Sequence, residues 1–500
     1  MIRFSTDDLA RFAAATADQN PLHMSDDYAR RTPFGSRVVF GVLGALRTLP
    51  AVGAPDAAAR PSRLRAQFQR PLFLDGGYEV VAGRPGLASL LAHGERANTV
   101  SVDWDGEHAA PGDVAPVARA ETVRATAAEL DAAGVASWAP RTIRYRAEVD
   151  ALRALAGDPL TQWPDTHLAA LAFASYVAGM ELPGRQALLV DVDIRFGAAE
   201  TGDAAETGAT AELECVVSLG RYDERFGLVT VAADLYRAGD WVAQARVRAM
   251  QRPAPFAITL DAQHQQRPAN AAVLAGRSAV VVGGSRGVGA HIAAQLAQSG
   301  ARVRIVYRRS TDALDRLSAE LGGAADLVSG HVGDATDIAF WRDLGDEIRA
   351  DGGLDLLVCS AWPTFRKLGH APSAVADAVA HVGDGFAMVA APLLELLPAM
   401  TGAEPDVVVL SSDLVVRPDT AYWQYTSGKA AVEGLCAALA PAHPSVTFHI
   451  VRPHLLATDY AQGAGGPEPG DPAVAARLLL EACATGAGGL SVLEIPDGAA

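Results

Sequence analysis

The sequence predicts two fold classes in one chain of 500 residues: an α+β region up to residue 255, then an α/β region with a doubly wound parallel sheet from residue 276. In the first region, an apolar helix followed by strands of alternating character occurs twice. From residue 276, continuous apolar strands alternate with helices, which is typical of a parallel sheet covered on both faces. The Pro- and Gln-rich segment 256–275 is predicted to be a linker.

Composition and charge exclude several classes of protein. The 42 basic and 58 acidic residues give a net charge of −16, which argues against general affinity for nucleic acid or an anionic membrane. The N-terminus lacks the order of a signal peptide, and acidic residues and glycines interrupt every apolar run before the ~18 residues that span a bilayer. We therefore expect a cytoplasmic protein without a nucleic-acid or membrane partner.

The cysteines indicate neither a disulfide framework nor a zinc site, because no two of them are closely spaced. They are Cys215, Cys359, Cys436 and Cys483. A reducing compartment fits this pattern, and no metal is expected.

The α+β region is predicted as two similar units, residues 1–125 and 126–255. The first begins with an amphipathic helix over residues 5–19, capped by Ser5 or Thr6, that ends before Pro21. Ser25 caps the next helix, "VVFGVLGALRTLPAVG" is a buried helix, and the strands follow in "RLRAQFQRPLFLDGGYEVVAG" and "RANTVSVDW". In the second unit, the helix "DTHLAALAFASYVAGMELPG" precedes four strand candidates.

A glycine-rich turn between the first strand and helix of the parallel region predicts a nucleotide site of Rossmann type. Such glycines let the backbone approach a pyrophosphate at a helix N-terminus, where free N–H groups and the helix dipole favour anions. The alternative is a glycine turn that serves tight packing. The predicted cofactor-binding residues of this turn are Gly283, Ser285, Arg286, Gly287 and Gly289.

Basic residues near this turn indicate which dinucleotide binds. The second strand ends at Arg308 and Arg309, where an NAD site carries an acid for the ribose hydroxyl. Arg286 adds a third cation. A 2′-phosphate, and hence NADPH, is favoured.

The segment "SSDLVVRPDTAYWQYTSGKAAVEG" contains a candidate catalytic set. Lys429 follows Tyr425 by four residues, so both lie on one face of a helix. A nearby ammonium favours the phenolate and lowers the pKa of a tyrosine toward working pH, as a general acid or base requires. Lys429 is one of two lysines in the chain, which makes a chance pairing improbable, and Ser412 lies thirteen residues before Tyr425.

On these motifs, residues 276–500 resemble the short-chain dehydrogenase/reductase family. The resemblance implies that Tyr425 donates a proton to a carbonyl, that Lys429 binds the cofactor ribose and lowers the tyrosine pKa, and that Ser412 hydrogen-bonds the substrate oxygen. It also implies that Asp334 contacts the adenine and that Thr458 binds the nicotinamide amide.

Several positions depart from this family's pattern. Cys359–Trp362 reads Cys-Ser-Ala-Trp where the family usually has Asn-Asn-Ala-Gly, His381 matches the helix Asn that supports the lysine through water, and His454 replaces a glycine after proline. These positions surround the nicotinamide and substrate, so they bear on substrate class more than on cofactor binding. We expect Trp362 to narrow the pocket or to shape a lid.

The stretch "ADQNPLH" places Asp18 and His23 on either side of an Asn-Pro turn. The simplest interpretation is a solvated turn. Its surroundings, however, resemble the MaoC-type hot-dog hydratases, whose Asp-x-Asn-Pro-aliphatic-His core is matched residue for residue. That resemblance implies that Asp18 and His23 hold one water that serves both proton roles, with the backbone at Gly41 facing a thioester oxygen. Asp18 lies near the C-terminal end of the first predicted helix. The negative end of the helix dipole there favours the protonated form of the Asp18 carboxyl group.

Here too the chain departs from the family. Ala17 stands where a glycine precedes the acid, and Phe40 where a histidine often begins the buried helix. The second unit lacks the acid–imidazole motif. It is interpreted as the non-catalytic half of a double hot-dog domain.

Together the two resemblances predict a bifunctional NADPH-dependent ketoreductase and dehydratase of fatty-acid or polyketide type. It would convert a 3-oxoacyl thioester of acyl carrier protein or coenzyme A to the 3-hydroxyacyl and then the trans-2-enoyl thioester. Both families usually self-associate, so a homodimer or higher homo-oligomer is expected. One alternative is a ketoreductase whose hot-dog half only binds acyl groups or dimerises, and another is a scaffold with two degenerate halves.

Overall fold

The structure is a computed structural model that divides into two compact units. Unit 1 comprises Met1–Arg30 and Ser36–Ala254, and unit 2 comprises Arg31–Gly35 and Pro255–Ala500. The residues it describes are 1–56, 59–74, 76–104, 120–158, 160–197, 209–253, 267–308, 311–363, 367–458, 469–483 and 488–495.

Unit 1 combines helices with one antiparallel sheet. Its helices are α1 (Thr6–Thr16), α2 (Pro21–Met24), α3 (Asp26–Ala29), α4 (Gly41–Thr48), α5 (Ala132–Ala136), α6 (Val149–Ala156) and α7 (Asp165–Tyr176). Its strands are β1 (Pro61–Phe68), β2 (Tyr78–Ala82), β3 (Leu87–Ala92), β4 (Glu95–Trp104), β5 (Ala120–Thr122), β6 (Arg141–Ala147), β7 (Ala187–Phe196), β8 (Ala211–Asp223), β9 (Leu228–Arg237) and β10 (Asp240–Gln251). The strand order is β2-β3-β4-β1-β7-β10-β9-β8-β6-β5, and apart from the parallel β5–β6 edge each neighbouring pair is antiparallel.

Two helix-and-sheet units therefore share one ten-stranded sheet. Helix α4 packs on the strands of the first, and α7 packs on those of the second. Every residue of α7 from Thr166 to Tyr176 is buried, as expected of a helix that is apolar on all sides. The seam is the antiparallel pairing of β1 with β7, across which the guanidinium of Arg63 binds both carboxylate oxygens of Asp193.

Some elements of unit 1 differ from the sequence predictions. Helix α1 is capped by Ser5 in a capping box with Asp8 and ends at Thr16, three residues earlier than predicted, because Ala17 adopts a left-handed conformation with φ 54°. Strand β3 was not predicted, since a short apolar run such as "LASLLA" has no periodicity that separates strand from helix. Strand β6 and helix α6 were also missed.

Unit 2 is a parallel sheet with helices between its strands. The strands are β11 (Ser278–Val282), β12 (Arg302–Tyr307), β13 (Val328–Val332), β14 (Leu356–Cys359), β15 (Asp406–Leu410), β16 (Thr447–Pro453) and β17 (Gly489–Ile495), in the order β13-β12-β11-β14-β15-β16-β17. The helices are α8 (Ala271–Leu274), α9 (Gly287–Gln298), α10 (Thr311–Leu321), α11 (Ile338–Ala350), α12 (Val375–Leu396), α13 (Trp423–Leu439) and α14 (Pro472–Ala482). Strands β11, β14 and β15 are completely buried. Of the predicted linker 256–275, residues up to 266 lie outside the described part, and α8 lies near its end.

Helix α12 is the core of a stretch, Pro372–Ala399, that is long and apolar enough to cross a membrane by length and composition. This differs from the expectation that acidic residues and glycines interrupt every apolar run before about 18 residues. One such helix is weak evidence of a membrane segment, because core helices of soluble proteins pass the same test. Helix α12 packs against α11, α13 and β14 within the Rossmann-type unit.

The four cysteines are free and buried. Cys483 lies with Asp406 and His449, their potential ligand atoms all within 4.8 Å of one another. The Asp406 carboxylate accepts a hydrogen bond from His449 Nε2 at 2.9 Å and pairs with the Arg277 guanidinium at 2.9 Å. These bonds connect β15, β16 and the chain before β11 at the end of the sheet where the parallel strands begin.

Candidate functional sites

The turn after α1 buries a carboxyl group. Asp18 is 2 % exposed, and its Oδ1 accepts a hydrogen bond from the Asn20 backbone N–H at 3.1 Å. Its Oδ2 accepts a bond from the Ser175 hydroxyl on α7 at 2.7 Å. The solvated-turn interpretation is therefore wrong for Asp18.

The second helix-and-sheet unit builds part of this site. After α7, the segment Val177–Glu181 widens into a π-helical turn, a local distortion common at functional sites. A Cβ on Gly179 would lie 2.6 Å from Asp18 Oδ1, so glycine is required for this approach. Asn20 fixes the turn by donating from Nδ2 to the carbonyls of Gly179 and Gly184 at 2.8 and 3.1 Å. The second unit was interpreted as non-catalytic. It does lack the acid–imidazole motif, but it supplies contacts to Asp18.

His23 is held as a neutral imidazole. Its Nδ1 lies 2.6 Å from the Val38 carbonyl, so Nδ1 carries the proton and Nε2 is left as the acceptor in the neutral ring. Burial lowers the pKa of His23 to about 4, the bond to Val38 opposes that fall, and the charge of Arg252 adds to it. The Phe40 ring lies 3.9 Å from the imidazole ring between centroids.

Gly41 begins α4 directly after Phe40. As the first residue of the helix, it has a backbone N–H without an intrahelical acceptor, as a group facing a developing negative charge needs. A Cβ at this position would lie 3.0 Å from the Phe68 ring. Gly41 was the predicted donor to the thioester oxygen. Its position as the first residue of α4 is consistent with that prediction.

Asp18 and His23 have oppositely shifted acidities. Burial raises the pKa of Asp18 to about 7, and the hydrogen bonds from Ser175 and Asn20 partly oppose the rise. The direction agrees with the sequence argument, but the main cause is loss of hydration and not the helix dipole. Near neutral pH, Asp18 can accept or donate a proton while His23 stays neutral, and such divergence typically assigns acid and base roles.

The glycine-rich turn of unit 2 has the backbone shape that a pyrophosphate requires. Gly283 has φ 80°, and a Cβ on it would lie 2.9 Å from the Ala361 backbone nitrogen. A Cβ on Gly289 would lie 2.5 Å from the Gly283 carbonyl oxygen. Ser285 is buried, and Arg286 is the N-cap of α9 without making a side-chain cap, so the first N–H groups of the helix remain for an anion. This turn fits a dinucleotide.

Thr458 lies beside this turn, since a Cβ on Gly287, which has φ 54°, would be 3.7 Å from its methyl group. At the end of β12, Arg308 pairs with Asp334 at 3.5 Å. Backbone and hydroxyl hydrogen bonds from Thr336 hold the pKa of the Asp334 carboxyl below its usual value, against the effect of burial. Arg309 lies outside the described residues.

Ser412, Tyr425 and Lys429 lie where β15 ends and α13 begins. Lys429 is 3 % exposed, and its Nζ donates to the Leu410 carbonyl at 2.6 Å and lies 5.5 Å from the Tyr425 ring centroid. Burial lowers the pKa of Lys429 to about 7. The Ser412 hydroxyl accepts a bond from the Leu414 N–H at 3.2 Å.

Two of the unusual positions contact this set. The Lys429 Nζ lies 3.8 Å from the centroid of the Trp362 indole. His454 Nδ1 lies 2.8 Å from the carboxylate of Asp413, whose Oδ1 is 3.4 Å from the Ser412 hydroxyl. Asp413 was not predicted, because its partner His454 lies 41 residues away, directly after β16.

Comparison with known proteins agrees with this geometry. Residues 277–467 match the short chain dehydrogenase family. The chain is 33 % identical over 206 residues to human mitochondrial dehydrogenase/reductase SDR family member 2, covering 39 % of this chain and 71 % of that protein. The chain belongs to the short-chain dehydrogenase family.

Other similarities fall in the same half. A chloroplastic NADPH-dependent aldehyde reductase 2 of Arabidopsis thaliana is 29 % identical over 204 residues, which is 37 % of this chain and 74 % of that protein. A dehydrogenase/reductase structure from Sinorhizobium meliloti is 27 % identical and covers 46 % of this chain and 97 % of that chain, with a TM-score of 0.42.

In the N-terminal half, residues 2–83 match the MaoC like domain. This match contains Asp18, His23 and Gly41. The chain thus combines a short-chain dehydrogenase domain with a MaoC like domain, and both resemblances stated from the sequence are confirmed.

Proposed function

We propose that the chain is a bifunctional NADPH-dependent ketoreductase and 3-hydroxyacyl-thioester dehydratase. The observation that carries the proposal is the presence in one chain of two sets of titratable side chains with the chemistry for proton transfer: the buried Asp18 with a raised pKa and the neutral His23 five residues later, and the Tyr425–Lys429 pair. Loss of water from a 3-hydroxyacyl thioester follows reduction of the corresponding 3-oxo compound, so one substrate can use both sites in turn.

In the reductase half, Tyr425 protonates the substrate carbonyl oxygen, Ser412 hydrogen-bonds that oxygen, and Lys429 lowers the pKa of the phenol and holds the ribose. The nicotinamide cofactor supplies the hydride when bound. Gly283, Gly289 and the start of α9 would hold its pyrophosphate.

In the dehydratase half, Asp18 and His23 hold and polarise one water. Elimination removes the proton next to the thioester carbonyl and expels the 3-hydroxyl as water, so that the C2–C3 double bond forms without a net change in protons. The N–H of Gly41 would stabilise the enolate oxygen as negative charge develops on it. We also propose that the sheet of unit 1 is a double hot-dog domain.

The purified chain tests the proposal directly. With a 3-oxoacyl thioester and NADPH, we expect the absorbance of the reduced nicotinamide to fall as NADPH is oxidised. We also expect a trans-2-enoyl thioester to form. Parallel assays with coenzyme A and acyl-carrier-protein versions of one substrate identify the carrier. NADPH consumption that stops at the 3-hydroxyacyl product would instead select the ketoreductase-only alternative, which the close contact of Phe40 with His23 favours.

Ser175→Ala is expected to move the pH dependence of dehydration upward. The Ser175 hydroxyl stabilises the carboxylate form of Asp18, so removing it raises the pKa of Asp18 further above 7. The pH profile of enoyl formation from a 3-hydroxyacyl thioester measures this. Ser62→Ala is the matched control, because Ser62 is also buried in unit 1 but donates to a backbone carbonyl at 3.0 Å. Equal profiles in the two variants would contradict the role of Ser175.

Arg308→Ala is expected to raise the KM for NADPH by about tenfold and to leave the KM for NADH nearly unchanged. The reason is that the guanidinium would pair with the 2′-phosphate, a charge-assisted contact that NADH lacks. Steady-state kinetics with the two cofactors measure the difference. Arg342→Ala, an exposed arginine on α11, serves as the control. A parallel change in both KM values would show that Arg308 does not select the cofactor.

We further propose a cytoplasmic homodimer or higher homo-oligomer, without a metal or a nucleic-acid or membrane partner. Exposed apolar side chains on α12 support self-association: Val375, Val379, Phe386 and Leu394 are 54 %, 66 %, 37 % and 51 % exposed. Sedimentation of the purified chain measures its assembly.

A further inference from the structure

The Trp362 indole lies inside the reductase site, against the two groups that carry its proton chemistry. Its ring centroid is 3.8 Å from the Lys429 Nζ. It meets the Tyr425 ring nearly edge-on, at 5.9 Å between centroids and 83° between planes. Trp362 follows β14, so the strand that ends beside the cofactor turn delivers the ring to this position.

Two glycines on different helices make room for the ring. A Cβ on Gly385 of α12 would lie 2.5 Å from Trp362 Cζ2, and a Cβ on Gly428 of α13 would lie 2.8 Å from the same atom. Glycine destabilises the interior of a helix relative to alanine. The two helices carry glycine where they flank the indole, and the ring is thus inserted between α12 and α13.

In this slot the Lys429 ammonium contacts a backbone carbonyl and an aromatic face. It donates to the Leu410 carbonyl at 2.6 Å and faces the indole. The titratable groups around it are Tyr425 and Glu433 on α13 and Cys359 on β14. The His381 ring on α12 lies 6.4 Å from the indole between centroids. A cation on an aromatic face is held most strongly where water is excluded.

We propose that Trp362 is a positioning residue of the reductase: its indole, seated between Gly385 and Gly428, holds the Lys429 ammonium in place by a cation–π contact. The indole thereby takes over the support that a hydrated polar residue would otherwise give to the lysine. The consequence for catalysis rests on the reductase half of the proposed function. The contact itself is tested on the protein alone.

Selective labelling makes the test direct, because the chain has two lysines. With ¹³Cε-lysine, the pH titration of each signal reports its own ammonium, and the exposed Lys367 is an internal reference. Trp362→Leu keeps the slot apolar but removes the π face, so we expect the Lys429 midpoint to fall by about 1.5 pH units, the size of a desolvated cation–π contact. Trp362→Phe should restore most of the difference. An unchanged Lys429 midpoint in Trp362→Leu would overturn the proposal.

Glycine substitutions test the same contact without altering the tryptophan. Gly428→Ala and Gly385→Ala should displace the indole and shift the Lys429 signal, whereas Gly434→Ala and Gly383→Ala, on the same helices with open space around the added Cβ, should not. The proposal would be overturned if the two glycine variants on the same helix shifted the Lys429 signal equally. This comparison remains informative if Trp362→Leu fails to fold.

NADPH binding links the contact to function. Followed by the fluorescence of the reduced nicotinamide, affinity should fall about tenfold in Trp362→Leu and in Gly428→Ala, but not in Gly434→Ala. A shifted Lys429 titration with unchanged NADPH affinity would overturn the functional role of the contact. Absence of NADPH binding by the unaltered chain would instead refute the reductase half of the proposed function, so the two failures are distinguishable.

Discussion

Tyr425→Phe is expected to slow NADPH oxidation with a 3-oxoacyl thioester by about 10²- to 10⁴-fold, the usual contribution of a general acid. The phenylalanine ring preserves the edge contact with Trp362 and removes only the proton donor. Dehydration of an added 3-hydroxyacyl thioester should proceed at the unaltered rate, because we propose that this reaction uses Asp18 and His23. Stopped-flow absorbance for the first reaction and product analysis for the second measure the two rates.

Tyr422→Phe is the control for this result. Tyr422 lies in the turn before α13 and is buried, but its ring faces Lys367, whereas the Tyr425 ring lies near Lys429. We expect nearly normal NADPH oxidation in this variant. A Tyr425→Phe protein that retains full reductase activity would show that another group protonates the carbonyl.

Asp18→Asn is expected to reduce dehydration by about 10²- to 10⁴-fold while NADPH oxidation continues. The amide oxygen can still accept the bonds from Ser175 and Asn20, so the turn keeps its shape, but it cannot take up a proton. The 3-hydroxyacyl product should then accumulate. Asp7→Asn, at an exposed acid on α1, is the control, and normal enoyl formation in Asp18→Asn would refute the dehydratase role.

The same substitution has a predictable effect on stability. Because burial raises the pKa of Asp18 from 3.8 to about 7, the folded chain binds a proton more tightly than the unfolded chain, and its stability falls as pH rises from about 4 to 7. The asparagine variant lacks this dependence. The Tm of Asp18→Asn minus the Tm of the unaltered chain should therefore be larger at pH 8 than at pH 5. Calorimetry of both proteins at the two pH values measures this difference.

Local sequence patterns were sufficient to predict much of the fold and those parts of both candidate sites that lie within one short segment. The strands of unit 2 follow from their continuous apolar runs, and the Ser5 cap, the glycine turn and the Tyr425–Lys429 spacing are all set by residues within one or two turns of each other. Strand β3 was missed because its apolar run is ambiguous without its neighbours β2 and β4.

Contacts between distant segments were not predictable in this way. Ser175 lies 157 residues from Asp18, and their meeting depends on the pairing of the two helix-and-sheet units and on the π-helical turn at Val177–Glu181. Trp362 was identified as unusual from its position, but its partner glycines on α12 and α13 become visible only when the helices are packed.

The seam between β1 and β7 also makes the two helix-and-sheet units of the sheet dependent on each other. Asp18 comes from the first unit, and Ser175 and Gly179, which contact it, come from the second. The two units are therefore not interchangeable: a substitution at Ser175 or Gly179 alters the surroundings of a carboxyl group that the second unit does not itself carry.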